Sequence, residues 1–239
     1  MNRQIPWLRV FVEGVVIVGS ILMAFGIEAG WDQRNQRLEL RLELQNVAQE
    51  LAENRERVLF QLDLVERIAA AGTAVDEIME LNHENSVTNL PDTLVYLGTA
   101  ASPTLDVSLG ALEALIASGR LASVDDLGVR RRLAGLRDRF EDVVENQVRA
   151  AEFADTQIRP ATRAYVDDKP ANRVSAAFWA EERIVGRGLV HRSRVDFPNT
   201  LAFRNLVGFR TLLFVTTIPE LRSVLQELDE LLEMLRELT

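Results

Sequence analysis

An apolar run near the start of the chain, VFVEGVVIVGSILMAFGIEAGW at residues 10–31, constrains the fold most strongly. Trp7 and Trp31 bracket this run. A helix rises about 1.5 Å per residue, so the two indoles would lie roughly 36 Å apart, close to the two headgroup levels of a bilayer. The run therefore predicts an uncleaved transmembrane helix over 10–31, preceded by a short tail, residues 1–9.

Two other interpretations of this run remain open. Arg3 and Arg9 give the start of the chain a positive charge, and Ala24-Phe25-Gly26 is an acceptable cleavage site, as in a secretory signal peptide. The uncharged stretch between Glu13 and Glu28 is also short enough for a buried or amphipathic helix of a soluble protein.

The predicted span has two distinct faces at 100° per residue. One face carries glutamates and small residues, and another carries glycines. Intramembrane carboxyl groups usually face protein, and small residues let transmembrane helices approach closely, although a lone anchor with glycines by chance is the alternative. We expect the span to pack in a homo-oligomer or against a partner membrane protein through Glu13, Gly19, Ser20, Ala24, Gly26, Glu28 and Gly30.

The remaining sequence predicts helices. Leu, Ala, Glu and Arg are abundant and the aromatic fraction is 6%, which favours helices and leaves little β-structure. No Gly or Pro occurs between Trp31 and Gly72, so one long helix should leave the membrane. Leucines alternate with charge over 38–44 as in a strand, but 44–69 continues with 3-4 spacing that favours a helix, interrupted by Arg55.

Helix boundaries follow from the turn and capping residues. A break falls near 82–104, with a short helix at 93–97. A helix over 105–118 should end at Gly119, and the next should start after Ser123, with Asp126 as the acid of a capping box, and bend or end at Pro160. Further helices are expected over 174–185, over 201–215, and from Thr217, Pro219 and Glu220 to the end.

The predicted fold class is all-α: a single N-terminal transmembrane helix that continues into a long helix, followed by a helical bundle over 32–239. The 201–215 stretch is apolar, but Arg204 and Arg210 would each cost about 2.5 to 3.5 kcal/mol near a bilayer centre. We therefore expect that stretch to be a core helix rather than a second span.

Composition excludes several functional classes. A net charge of -9 argues against a nucleic-acid binder, and the absence of cysteine excludes thiolate chemistry and disulfides. The two histidines, His83 and His191, have no ligand spacing. We expect no catalytic, metal or cofactor site, and hence no enzyme. One basic patch remains as a site for an anion or a partner, unless it pairs with acidic helices: Arg183, Arg187, His191, Arg192 and Arg194.

Two stretches carry a family resemblance. The opening has Glu13-Gly14, an aliphatic run and Gly30-Trp31-Asp32, followed by a charged helix with Asn54, and LEALIASGRLASVDDLGVRRRL forms a second motif. Together they resemble a bacterial family of uncharacterised single-span proteins, although Glu and Gly stand in the reverse order. The resemblance implies a mostly helical membrane protein with no assigned activity.

The sequence thus predicts a non-enzymatic, membrane-anchored assembly or partner-binding protein of the bacterial inner membrane. Its soluble domain is expected on the extracytoplasmic side, because a short basic tail before an uncleaved span is typical of a signal anchor. A helical ligand-binding or sensing module and a membrane-anchored enzyme or effector are the two alternatives.

Overall fold

The computed structural model describes the backbone of residues 7–162 and 194–238, and the side chains of residues 11, 18–162 and 194–238. Helices make up 84% of it and strands are few, which confirms the all-α class. The helix predicted over 174–185 lies outside the described residues.

Six α-helices and two short strands are described. Their bounds are α1 Trp7–Leu81, β1 Val87–Pro91, α2 Asp92–Val95, α3 Gly110–Ala117, α4 Leu127–Phe153, α5 Arg159–Thr162, β2 Arg194–Pro198 and α6 Leu201–Leu238. Two π-helical turns, Tyr96–Ala100 and Ala154–Ile158, follow α2 and α4, and a 3-10 turn, Arg120–Ser123, precedes α4.

Helices α1 and α6 form the long axis of the domain and run antiparallel. Arg55 on α1 binds Asp229 on α6 at 2.5 Å, whereas the amide of Asn199, at the start of α6, donates to the carbonyl of Met79 at 2.9 Å. Helix α4 lies beside α6 in the same antiparallel sense, with Asn146 donating to Glu220 at 2.9 Å. The buried faces of the three helices meet along one apolar core, which includes Leu51, Val58, Val65, Leu133, Phe140, Phe214, Leu221 and Leu228.

Gly72 sets how closely α1 approaches α6. A Cβ at this position would lie 2.2 Å from Oγ1 of Thr211 and 3.2 Å from its Cβ. These distances are below van der Waals contact, so a side chain at residue 72 would force Thr211 or the helices to shift.

The strands pair at the end of the domain where α1 finishes. β1 and β2 are antiparallel, with Val87 opposite Pro198 and Pro91 opposite Arg194. The buried amide of Asn199 donates to the carbonyls of Met79 and Asn82, which fixes the sheet against the end of α1. A second apolar cluster fills this end: Val75, Met79, Leu90, Val95, Ile158, Phe197, Phe203 and Val207.

The prediction of two C-terminal helices is wrong. A single helix, α6, passes through Thr217 and Pro219, which the sequence placed at a helix start. Pro219 removes one backbone donor, but packing on both sides of it keeps the chain helical, since Phe214 and Leu221 are both fully buried. The hydroxyl of Thr217 does not cap a helix start and instead donates to the carbonyl of Leu213 at 2.9 Å.

Two predicted helix starts are also wrong. Helix α3 begins at Gly110 rather than near residue 105, and Asp126 itself caps α4, accepting from the amides of Gly128 at 2.6 Å and Val129 at 3.0 Å. The stop at Gly119 is confirmed, with a left-handed φ of 74° that favours glycine. The helix predicted at 93–97 is present as α2 and the first π turn.

The helix that qualifies as a membrane span by length and composition is C-terminal rather than N-terminal. Among the residues described, α6 alone meets the length and hydropathy required. The predicted span at 10–31 forms the start of α1, and its side chains are described only in part.

Candidate functional site

The first part of α1 projects from the helical domain. Every described side chain from residue 18 to residue 39 is exposed, Leu40 is half-buried, and Leu44 is the first fully buried residue. The exposed side chains in this part include large apolar ones, with Met23 69% and Ile27 68% exposed. A helix with so much exposed apolar surface needs another surface to cover it, either lipid or protein.

Most of the predicted packing residues lie on this projecting part. Ser20, Ala24 and Glu28 are exposed on it, and so is the predicted interface anchor Trp31 at 65%. A Cβ at Gly19, Gly26 or Gly30 would meet nothing within 4 Å, so the glycine face is open. The side chains of Trp7 and Glu13 lie outside those described.

The predicted basic patch is mostly outside the described residues. Only Arg194 is described, at the start of β2. Its guanidinium donates to the side-chain oxygen of Asn89 at 2.5 Å and to the carbonyl of Asn89 at 2.6 Å. Arg194 therefore holds the two strands together. Arg183, Arg187, His191 and Arg192 are not described.

The sequence reasoning missed a polar clamp around residues 101–109. This segment has no regular secondary structure, yet Ala101 and Leu105 are buried within it. Side chains from all three long helices bind its backbone or, in the case of Glu50, the hydroxyl of Ser108 and the first amides of α3. We call these side chains the clamp residues: Glu50, Asn54 and Gln61 on α1, Gln147 on α4, and Arg210 on α6.

Asn54 and Gln147 fix the middle of the segment. The carboxamide of Asn54 donates to the carbonyl of Ser108 at 2.5 Å and accepts from its amide at 3.0 Å. The carboxamide oxygen of Gln147 accepts from the amide of Leu105 at 2.6 Å. Both carboxamide side chains are fully buried, so these bonds replace the ones that water would make.

Glu50 supplies the cap that α3 lacks. Leu109, the residue before α3, makes no side-chain capping bond. The carboxylate of Glu50 instead accepts from the amides of Ala111 at 3.0 Å and Leu112 at 3.1 Å. An anion at a helix N-terminus satisfies free amide groups and interacts favourably with the helix dipole.

Arg210 is the most deeply buried charged group among those described. Its guanidinium donates to the carbonyls of Leu97, Gly98 and Ala101 at the end of the first π turn. Burial lowers the pKa of Arg210 to about 9, partly offset by Tyr96. The carbonyl end of a helix favours a cation, so Arg210 caps this turn and ties it to α6.

Two open grooves flank the clamped segment. One, of about 830 Å³, is lined by Arg57, Phe60 and Gln61 of α1 and by residues 102–106. The other, of about 510 Å³, lies between Val107, Leu109 and α4. Both are shallow and open to solvent, unlike the enclosed pockets that bury small ligands. Gln61 is the clamp residue that lines the first groove, and its side-chain amide donates to the carbonyl of Pro103.

A second exposed apolar stripe lies on the outer face of α6. Leu201 is 66% exposed, Phe209 49%, Leu212 54% and Val215 45%. These residues lie at the level of the second half of α1, because Thr211 contacts Gly72. The stripe is therefore far from the projecting part of α1.

The described residues contain no arrangement that indicates catalysis. His83 is exposed, with a ring nitrogen 3.0 Å from the carbonyl of Glu80, and Asp126 is a helix cap. No group of three or more acidic, histidine or cysteine side chains that could hold a metal ion occurs among them. The geometry supports a structural role for the polar groups that are described.

Comparison with known proteins gives no relative: no protein-family model matches the chain, and no curated protein and no solved structure is significantly similar to it.

Proposed function

We propose that this protein is a membrane-anchored helical assembly or partner-binding protein, without enzymatic activity. The observation that carries this proposal is the projecting part of α1, whose side chains are exposed and largely apolar from residue 18 to Trp31. Covering this surface with lipid removes it from water without a change in the domain, because the buried core of α1 begins only at Leu44.

The arginines of α6 argue against α6 as the span. Arg210 is fully buried and bound to protein carbonyls, and the same half of α6 packs its Phe203 and Val207 into the second apolar cluster. Removing α6 to lipid would break these contacts and expose an arginine to hydrocarbon, which is unfavourable. The described side chains from residue 18 to residue 39 are exposed and do not pack into the domain, so we assign the single span to 10–31.

The clamp supports a scaffold rather than an enzyme. Its buried polar side chains bind backbone groups, which holds α1, α4 and α6 in fixed positions around 101–109. A rigid bundle of this kind presents its outer faces to other proteins. The apolar stripe with Phe209 and Leu212 offers one such face, about 60 Å from Trp31 along α1, too far to touch the bilayer that holds the span.

The proposed anchor also sets the sides of the membrane on which the tail and the domain lie. We place residues 1–9 in the cytoplasm and the helical domain outside the bacterial inner membrane, as the signal-anchor pattern and the resemblance to bacterial single-span proteins favour. The span also carries the face with Glu13, Ser20, Ala24 and Glu28, which favours a protein neighbour within the bilayer.

Extraction and labelling test the anchor and the sidedness. The full chain, expressed in a bacterium, should stay in the membrane pellet after alkaline carbonate, whereas a variant with Ile21→Lys and Phe25→Lys should be released. In this cysteine-free chain, single cysteines at Asn82 and Ser223 should react with a membrane-impermeant reagent on spheroplasts. Release of the unaltered chain by carbonate would overturn the anchor, and labelling only after lysis would place the domain in the cytoplasm.

A further inference from the structure

We propose that α1 pairs in parallel and in register with α1 of a second copy of this chain, just outside the bilayer. The interface is formed by Trp31, Asn35, Leu38 and Leu42, which we call the juxtamembrane stripe. This inference rests on the proposed function, since it takes 10–31 as the span, and it names the partner as the protein itself.

The stripe is exposed although the residues opposite it are buried. Leu38 is 50% and Leu42 61% exposed, whereas Leu44 on the same two turns is 4% exposed. Leu42 and Leu44 lie about 200° apart around the helix, so α1 presents apolar residues on two opposite sides at this level. The domain covers one side, and the stripe has no cover within the described residues.

The juxtamembrane stripe lies outside the bilayer, so lipid does not cover it. Leu38 and Leu42 lie about 10 and 16 Å beyond Trp31 along the helix axis, which is past the headgroup level marked by its indole. The neighbouring positions carry Arg37 and Arg41, both exposed, as expected for a helix in water. Apolar side chains exposed to water on this face favour a protein partner.

The spacing fits a helix identical to α1 itself. The stripe residues follow one another at intervals of four, three and four, which is the a-d pattern of a left-handed coiled coil. The pattern extends back to Ala24 and Glu28 and forward to Gln45 and Gln49. Two copies held in one membrane by the same span must run parallel, and an Asn35 that meets its own copy at an a position favours an in-register dimer.

Charge complementarity favours the same arrangement. In this register Arg34 and Glu39 occupy flanking positions g and e, which meet across a parallel pair of helices. Glu39 also binds Arg120 of its own chain through Oε2 at 2.8 Å, and its side chain remains 55% exposed, so its other oxygen is available.

The glycine face is not part of this interface. Gly19 and Gly26 lie on the opposite side of α1 from Ala24 and Trp31 at 100° per residue. The proposal therefore distinguishes two predicted packing faces, assigning self-association to the face with Ala24 and Glu28.

Cysteine crosslinking in native membranes tests the register. Leu38→Cys and Leu42→Cys should give a disulfide-linked dimer on oxidation, while the matched controls Gln33→Cys and Arg37→Cys, on other faces of the same turns, should give little. Equal crosslinking at all four positions would mean random collision, and a stronger signal at the controls would mean a different face. Either result would overturn the proposal.

A second variant measures the strength of association. In purified full-length protein in detergent, Leu38→Glu combined with Leu42→Glu should raise the dimer dissociation constant at least about tenfold, which corresponds to about 1.4 kcal/mol. Both leucines are exposed in the single chain, so circular dichroism should show an unchanged fold. Gly26→Leu combined with Gly30→Leu should leave the dimer intact, and dimer loss in that variant alone would overturn the assignment.

Carbonate extraction separates the two proposals. Site-specific crosslinking together with release by carbonate would support the proposed dimer and contradict the proposed membrane anchor. Resistance to carbonate together with unspecific crosslinking would support the proposed membrane anchor and contradict the proposed dimer.

Discussion

The carboxamide of Asn54 binds both backbone groups of Ser108, donating to its carbonyl at 2.5 Å and accepting from its amide at 3.0 Å. One side chain on α1 thereby makes the pair of hydrogen bonds that a neighbouring strand would make. Residues 101–109, with Ala101 and Leu105 buried, can run along the bundle without regular secondary structure because side chains of the clamp bind part of their backbone in this way.

Replacing Asn54 tests this relationship. Asn54→Ala should lower the free energy of unfolding by about 1 to 3 kcal/mol, because it removes two hydrogen bonds to Ser108 that a fully buried side chain makes. Arg159→Ala, which removes an exposed ion pair with Asp155, should change it by less than about 0.5 kcal/mol. Urea denaturation of the two variants measures the difference, and equal losses would assign no special role to Asn54.

Arg210 should be essential for the packing of the first π turn. Arg210→Met removes the donors to the carbonyls of Leu97, Gly98 and Ala101, the last two buried, and should lower the free energy of unfolding by about 1 to 3 kcal/mol. Arg210→Lys should recover only part of this, because one ammonium group cannot reproduce the planar fork. A variant as stable as the unaltered chain would contradict the capping role.

The same residue gives a pH dependence with a definite sign. The folded pKa of Arg210, about 9, lies below its ordinary value of 12.5. At pH values below both pKa values, Arg210 is protonated in the folded and in the unfolded chain, so it adds no pH dependence to the free energy of unfolding. Above about pH 9 the unfolded chain binds more protons than the folded one, so the contribution of Arg210 to the free energy of unfolding rises with pH. The stability difference between the unaltered chain and Arg210→Met should be constant from pH 6 to 8 and increase at pH 10.

Gly72 provides a test of the approach between α1 and α6. Gly72→Ala should destabilise the protein by about 1 to 3 kcal/mol, because the new methyl group would overlap Thr211. Gly135→Ala is the matched control: this glycine is also inside a helix, but a Cβ there meets nothing within 4 Å. The control should gain about 0.5 to 1 kcal/mol from helix propensity. Adding Thr211→Ala to Gly72→Ala should restore part of the loss.

Periodicity predicted the helices of this fold better than their ends. The 3-4 spacing of α1 continues through Leu44, Leu51, Val58 and Val65, all buried as the pattern requires. Arg55, which interrupts the pattern, is half-buried and paired with Asp229 on α6. Local signals therefore sufficed where one amphipathic face decided the structure.

The wrong boundaries arise where distant residues override local preference. Thr217 and Pro219 have the chemistry of a helix start, but packing of α6 against α1 on both sides keeps the helix continuous. Residues 105–109 have helical composition, yet Asn54 and Gln147 hold their backbone in a non-helical form. Strand β1 depends on β2, more than 100 residues away.

The sequence contains a pattern that indicates the clamp residues. Asn54, Gln147 and Arg210 each interrupt an apolar stripe at a position that faces the core, and each is fully buried. Such residues must find partners because a buried polar group without one is costly. What periodicity does not reveal is the partner, which here is the backbone of residues far away in the chain.

The ion pair between Arg132 on α4 and Glu230 on α6 predicts an acid-sensitive contribution to stability. The hydrogen bond from Arg132, with a second from Gln226 at 2.9 Å, holds the pKa of Glu230 below its ordinary value of 4.5. A carboxyl group whose pKa is lower in the folded state stabilises that state above the unfolded pKa, and this contribution disappears as pH falls through the folded value. Glu230→Gln should therefore be less stable than the unaltered chain at pH 7, and this difference should shrink as the pH falls toward 3. The exposed neighbour Glu233, changed to Gln, is the control and should show a smaller difference at pH 7. Thermal unfolding of the three proteins between pH 3 and 7 measures this, and a difference that grows toward pH 3 would show that the pair does not stabilise the folded domain.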